Sequence, residues 1–412
     1  MFCARFGQVA TCPYKYIPNS ITPKLIQMPP SRILPTIVFS QFAGTSLWFA
    51  GNAVLPELQE SLQLQEGALG LLTSAVQLGF ILGTLCFAIL SLADRVSPRL
   101  LFLLCALLGA AANAMVLFTA TSITGVLILR AATGFLLAGI YPVGMKIAAS
   151  WYSGKLGKAI GYLVGALVLG TAFPHLLRGL GTTLPWQSML LAVSILAAVG
   201  GLLMYLLVPD GPYLSRGAKF DARNMLKVFH VPDFRAAAFG YFGHMWELYT
   251  LWAFTPFILA YTLPELSASQ VSLYSFAVIA AGAVGCIGGG YLSQYWGSAR
   301  VAFVQLLLSG LCCILSLFIL SSSYFIVPFL VFWGVVVAGD SPQFSALSAR
   351  TAPPHLVGTA LTVVTSIGFA ITIVSIQATG WFLEQLPPQQ VLVWLSIGPL
   401  LGLLALRRLV RA

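Results

Sequence analysis

Apolar runs of bilayer length, separated by short polar turns, recur along almost the whole chain. A helix crossing the hydrocarbon core needs about 20 mostly apolar residues. Runs of that kind fall at 33–56, 66–91, 99–119, 123–150, 155–180, 185–208, 235–262, 268–295, 299–320, 323–349, 355–385 and 389–408. Only one connector is long and polar: 209–234 carries Asp210, Arg216, Lys219, Asp221, Arg223, Lys227 and Asp233, and it parts six runs from six. The pattern predicts an all-α polytopic membrane protein with twelve transmembrane helices. Its expected parts are a tail over 1–32, a six-helix bundle over 33–208, the linker 209–234 and a second six-helix bundle over 235–412.

The halves echo one another. Ala138-Gly139-Ile140-Tyr141-Pro142 returns as Ala338-Gly339-Asp340-Ser341-Pro342, with Gly134 and Gly334 in the same frame. Leu47-Trp48 returns as Leu251-Trp252, and each pair is followed by Leu-Pro-Glu-Leu, at 55–58 and 263–266. Several echoes in one order point to two six-helix pseudo-repeats in parallel orientation, a construction used by secondary transporters.

Composition narrows the class further. Hydrophobic residues make up 58% of the 412 positions and charged residues 8%, whereas soluble domains carry about a quarter charged residues. A water-soluble protein is excluded. The charges also set an orientation, because short cytoplasmic loops retain Lys and Arg. With the N-terminus inside, every Lys and Arg except Arg130, Lys146 and Arg178 falls on one side, while the opposite loops hold only Glu57, Glu60, Glu66, Glu265 and Glu384. Both termini are therefore expected in the cytoplasm, with the protein in the plasma (bacterial inner) membrane. The net charge of +10 reads as a topology signal in contact with lipid and calls for no nucleic-acid partner. Residues 1–31 hold Arg5, Lys15 and Lys24 but no acid and no apolar core, so a basic tail is expected rather than a cleavable signal. The seven cysteines show no metal or redox spacing, and no cofactor or metal is expected.

Motifs make the class specific. Between the second and third runs lies Leu92-Ala93-Asp94-Arg95-Val96-Ser97-Pro98-Arg99, and the second half carries Gly290-Tyr291-Leu292-Ser293-Gln294-Tyr295-Trp296-Gly297 at the matching place. The first resembles the cytoplasmic signature G-x-L-a-D-r-x-G-r-[KR] of the major facilitator superfamily, and the second is a worn copy of it. Arg130-Ala131-Ala132-Thr133-Gly134 is similar to that family's R-x-x-q-G signature on the fourth helix. A carboxylate and guanidinium in a tight turn cap neighbouring helix ends. Asp94, Arg95 and Arg99 are accordingly expected to latch the two bundles in one state. The fifth run places Gly157, Gly161, Gly165 and Gly170 before Pro174, a small-residue stripe suited to close helix approach and a kink. It is similar to the Gly-Pro signature of the family's drug-proton antiporters at Gly161 and Gly170, but Pro174, His175 and Arg178 stand where that signature has Gly, Pro and Gly.

Ionisable groups deep in the membrane are functional candidates. By helical rise, Glu247 lies about 18 Å beyond Arg235 and Asp340 about 15 Å before Arg350, near the midplane. His244 stands three residues before Glu247, on the same helix face, and makes Glu247 the first candidate for proton coupling, with Asp340 its competitor. Arg130 is available to pair with an anion, whereas Lys146 and Arg178 lie nearer helix ends and are expected to snorkel to the surface. On the first helix Gln41, Thr45, Trp48 and Asn52 recur at helical spacing and form a candidate substrate face, or else an interhelical hydrogen-bond seam. In the family, helices one, four, seven and ten line a central cavity, so the resemblance would gather Arg130, His244, Glu247 and Asp340 around one pathway.

The expected function is secondary active transport of a small polar or anionic metabolite by alternating access, coupled to a proton. A proton-coupled efflux antiporter for drugs or amphipathic compounds is the alternative, and a non-transporting membrane sensor on the same fold a second. The chain lacks the phosphate loop of an ATP-driven pump and the motifs H-E-x-x-H and G-x-S-x-G of membrane proteases, and no enzyme is expected.

Overall fold

The structure, a computed structural model, describes residues 30–62, 68–119, 122–152, 156–181, 185–214, 220, 225–321 and 324–411. The expected tail as far as residue 29 lies outside the described residues, as do Glu66, Lys155, Arg216, Lys219, Asp221 and Arg223. Every regular element among the described residues is helical, and residues 31–412 form one compact unit.

Twelve helices run in chain order. They are α1 (Ile33–Thr45), α2 (Ala68–Ile89), α3 (Pro98–Thr119), α4 (Ile123–Trp151), α5 (Leu156–Leu180), α6 (Trp186–Leu207), α7 (Pro232–Thr262), α8 (Ala268–Trp296), α9 (Ser298–Ile319), α10 (Ile326–Thr351), α11 (Val357–Leu383) and α12 (Pro388–Arg411). Ten are long and apolar enough to cross a bilayer; the two that fall short are α1 and α7, the first helix of each half. α7 has the length, but His244, Glu247 and other polar groups dilute it. α1 differs from the expected run over 33–56. It stops at Thr45, turns, and resumes as Ala50–Ala53 and Leu55–Leu62. Its own hydroxyls compete for the ladder there, Thr45 Oγ1 donating to Gln41 O at 2.8 Å and Ser46 Oγ to Ala43 O at 2.7 Å.

The same device interrupts α4 and α10. The first segment of α4 ends at Leu137 and the second starts at Tyr141; in α10 the corresponding bounds are Gly339 and Ser341. Pro142 and Pro342 occupy the first turn of each second segment, where a missing N–H does no harm, and neither can continue the helix before it. Beneath the breaks, Cys105 of α3 packs under Gly139 and Gln305 of α9 under Gly339; an added Cβ would overlap either side chain.

Packing repeats between the halves. α2 lies against α4 as α8 lies against α10, and α1 against α6 as α7 against α12. The principal contacts between the halves, α5 with α8 and α2 with α11, are also images of each other under the repeat. Small residues permit the close approaches, which in lipid are driven by packing rather than by expulsion of water. Gly134 faces the carbonyl of Val76 and Gly334 that of Val278, while Gly161 and Gly165 of α5 face α8. Glycine is required at Gly134 and Gly334, because a Cβ would collide with backbone that has nowhere to move.

Gly134→Ala and Gly334→Ala should therefore each lower the melting temperature of the purified protein, by a destabilisation of about 1–3 kcal/mol as for overpacking. Gly288→Ala, where an added Cβ meets nothing within 4 Å, should leave it unchanged. Equal behaviour of all three in a thermal melt would contradict this packing.

Candidate functional site

Three polar centres occupy the buried middle of the helices. The first is in the N-terminal half. Arg130 of α4 is 1% exposed, its Nη2 donates to Asn113 Oδ1 of α3 at 3.0 Å, and its Nη1 lies 3.5 Å from the carbonyl of Leu47 in the break of α1. Asn113 is fixed in turn, its Nδ2 donating to Ser194 Oγ of α6 at 2.9 Å and to Leu190 O at 3.1 Å. Gly51 leaves room for the guanidinium beside α1. Among the described residues no carboxylate pairs with Arg130, and its Nε has no partner. The bundle thus holds an oriented, unneutralised cation.

The second centre is in the C-terminal half, where α7 meets the break of α10. His244 Nδ1 lies 2.8 Å from Asp340 Oδ1, both side chains fully buried. The contact is short, and neither atom meets hydrogen-bond geometry with a partner among the described residues. The imidazole also lies between the rings of Tyr241 and Phe344, with centroids at 5.9 and 5.7 Å. The matching contact of the first half is apolar: Ile140, the counterpart of Asp340, packs on Gly44 of α1. The fold asks for a contact here and does not ask for charge.

The third centre surrounds Glu247. Trp333 Nε1 of α10 donates to its Oε1 at 2.5 Å, and Ser309 Oγ of α9 donates to its Oε2 at 3.0 Å. The sequence places His244 and Glu247 on one helix face, and in the structure each side chain has its own partners. The histidine turns to Asp340, while the carboxylate one turn on is held by α9 and α10. Nor do Arg130, His244, Glu247 and Asp340 form one network; Arg130 is bonded to α1 and α3, the other three within the second half.

The polar stripe of α1 is divided by the break. Asn52 Nδ2 donates to Thr73 Oγ1 of α2 at 2.8 Å, a seam between helices. Thr45 bonds its own helix. Gln41 is buried beside Gly144 with neither amide atom bonded among the described residues. Trp48 enters an aromatic cluster joining the halves. Its ring stacks on Tyr249 and Phe369 at 5.7 and 5.6 Å and tilts against Phe80 at 4.9 Å, and Tyr249 meets Trp252 edge-on at 5.3 Å. The indole N–H groups of Trp48 and its repeat mate Trp252 have no acceptor among the described residues. Sequence periodicity marked Trp48 but had no means of finding Tyr249 and Phe369, which come from other helices.

Charges near the helix ends are paired rather than extended into water. Lys146, expected to snorkel, donates to Asp94 Oδ1 at 2.5 Å and to Ala93 O at 2.6 Å. Arg178 pairs with Glu57. Asp94 was expected to latch one bundle to the other, yet this ion pair lies within the first half, between the α2–α3 turn and α4. Arg99 lies 3.8 Å from Asp210 at the start of the linker and over the ring of Tyr205 of α6, and Arg95 is exposed. Direct bonds between the halves include Gln377 Nε2 to Ser74 Oγ at 2.8 Å, Ser269 Oγ to Gly179 O at 2.6 Å, and the hydroxyls of Tyr162 and Tyr291 at 3.0 Å.

Glu247→Gln retains an acceptor for Trp333 and should melt close to the parent protein. Glu247→Leu leaves the Trp333 donor buried without a partner, while Ser309 keeps Leu306 O at 3.2 Å, and should cost about 1–3 kcal/mol. Thermal melts in detergent would detect the difference, and equal melting of the two variants would refute the bonding described.

Comparison with known proteins agrees with this architecture. A search of curated protein sequences finds no match to the chain. Among solved structures the fold is similar to the human organic anion transporter MFSD10 (TETRAN), with a TM-score of 0.72 and 20% identity over 92% of this chain and 100% of that one. It is also similar to a bacterial homologue of the human lysosomal transporter Spinster in an inward-facing, unoccupied conformation, with a TM-score of 0.68 and 17% identity over 92% and 97% of the two chains. The family profile described as Major Facilitator Superfamily matches residues 37–376, and with its twelve helices in two pseudo-repeats the chain belongs to that family of membrane transporters.

Proposed function

We propose that the protein carries a small organic anion across the plasma membrane by alternating access of its two six-helix bundles, coupled to a proton, with both termini in the cytoplasm. The observation that carries this reading is Arg130. A cation buried in hydrocarbon costs at least about 2.5–3.5 kcal/mol even on insertion scales, and among the described residues no carboxylate offsets it. An anionic solute beside α1 supplies the missing charge. The aromatic cluster of Trp48, Tyr249, Trp252 and Phe369 suits a solute with an apolar body. MFSD10, of similar fold, is named as an organic anion transporter. The division at the 209–234 linker and the partition of Lys and Arg support the bundle boundaries and the orientation.

For the coupling ion the reading favours Asp340 with His244 over Glu247. A proton on this pair changes the charge of the α7–α10 contact at the break, where the two helices meet. Glu247 is already held by two donors. The same aromatic cluster favours a second reading, efflux of amphipathic compounds, and the solute preference separates the two.

Counterflow of labelled organic anions into proteoliposomes tests the first part. Arg130→Gln should weaken anion affinity at least tenfold, about 1.4 kcal/mol, with Arg130→Lys intermediate. Unchanged anion affinity in Arg130→Gln, or preference of the parent protein for lipophilic cations, refutes the anion reading. Asp340→Asn should still exchange solute but fail to concentrate it on an imposed pH step, while Glu247→Gln still concentrates it. The reverse pattern transfers coupling to Glu247.

A further inference from the structure

At the basic end of the second half, the chain leading into α7 forms a short 3₁₀ turn, Lys227–His230. Val228 is fully buried in a small cluster with Phe234, Ala238, Leu356 and Val364. That anchor turns Lys227 and His230 outward, and both are exposed. Beneath the turn, Phe229 packs on Phe234 and Phe242, with ring centroids at 5.6 and 6.4 Å, and Phe239 packs on Phe242 at 5.6 Å. Between these rings and Ile367 of α11 opens a groove of about 410 Å³, with His230 and Arg235 in its lining. The neighbouring acid, Asp233, is taken by Arg408 at 2.6 Å. Arg235 has only a long contact to Phe229 O at 3.5 Å, and no carboxylate pairs with it among the described residues.

Polarity is graded along this groove. Arg235 lies in the first turn of α7, and Phe239 one turn further along the helix has 49% of its surface exposed. Leu226, 62% exposed, flanks the mouth. A basic rim above an open apolar slot has the chemistry of a phosphate head joined to a hydrocarbon chain. Aromatic side chains and clustered basic residues gather at a bilayer interface for the same reason. A soluble anion would use the rim and leave the slot empty; a zwitterionic lipid would bring a cation to a rim that already holds an excess of positive charge.

We propose that this groove binds one anionic phospholipid of the adjacent leaflet, its phosphate against Arg235, His230 and Lys227 and an acyl chain along Phe239 and Phe242. The site lies apart from the three buried centres, on the lipid-facing side of the α7–α11 contact, so an occupant would bear on the helix that carries His244.

Native mass spectrometry of the full-length protein in detergent, with phosphatidylglycerol and phosphatidylcholine of equal chain length, tests it. The parent protein should retain phosphatidylglycerol in preference to phosphatidylcholine by roughly tenfold. The double variant Arg235→Gln/His230→Gln should lose that preference, while Arg300→Gln, an exposed arginine outside the groove, keeps it. Lys227→Gln/His230→Gln alters only exposed side chains and should lower the preference several-fold without disturbing the fold, which secures the test should the first variant unfold. The proposal is overturned by equal binding of the two lipids to the parent protein, or by an undiminished preference in both groove variants. Displacement of phosphatidylglycerol by glycerol phosphate at equal concentration would also overturn it, since the rim would then be a site for soluble anions.

Discussion

Hydrocarbon offers no hydrogen bonds, so a helix inside it can break its ladder only where the protein itself repairs the break. Besides a 3₁₀ segment at Leu392–Ser396 in α12, breaks of this kind fall in α1, α4 and α10 among the described residues. At the first, the guanidinium of Arg130 approaches the carbonyl of Leu47. At the others, a glycine and a proline end one segment and start the next, with Cys105 or Gln305 filling the space beneath. Two of the three buried polar centres sit at these breaks, Arg130 at that of α1 and Asp340 at that of α10. Places where helices are already interrupted are also where a change of charge disturbs least and redirects most.

The two halves share this scaffold but differ in charge. Ile140 rests on Gly44 in the first half, and Asp340 faces His244 in the second. Among the described residues the first half buries Arg130 and His175, the second Glu247, Asp340 and His244. Packing needs no charge at the α7–α10 contact, since the apolar contact of the first half does the same work, whereas Arg130 and Glu247 also hold their neighbours. Retention of Arg130, His244 and Asp340 at a cost in desolvation is the physical argument for assigning them to solute and proton. The aromatic cluster between the halves leaves two indole donors without acceptors among the described residues, and in the proposed reading it is the surface against which the solute lies.

The sequence displayed the spans, the repeats and the partition of charge, because each depends on local composition or on spacing along the chain. Ala-Gly-x-x-Pro, written twice, was read as an echo of the halves, and the structure places the breaks of α4 and α10 there. Partnerships were not legible. His244 and Glu247 share a helix face, yet His244 turns to Asp340 of α10 and Glu247 to Ser309 and Trp333, because helix packing rather than spacing decides which neighbour a side chain meets. Lys146 and Arg178 seemed free to reach the surface until Asp94 and Glu57, distant in sequence, came within bonding range. The break in α1 was hidden for a similar reason. Leu47-Trp48-Phe49-Ala50 reads as ordinary apolar helix, and the competing groups are hydroxyls one turn earlier and an arginine on α4.

The central claim is that the α7–α10 contact is ionisable for coupling and not for folding. Replacing it with an apolar pair, His244→Ala together with Asp340→Ile, imitates the contact of the first half. The direct measurement is proton entry into proteoliposomes, reported by an internal pH dye, when a solute gradient is imposed. The account predicts that the double variant folds and exchanges solute while solute-driven proton movement disappears. Undiminished proton movement in that variant would contradict it.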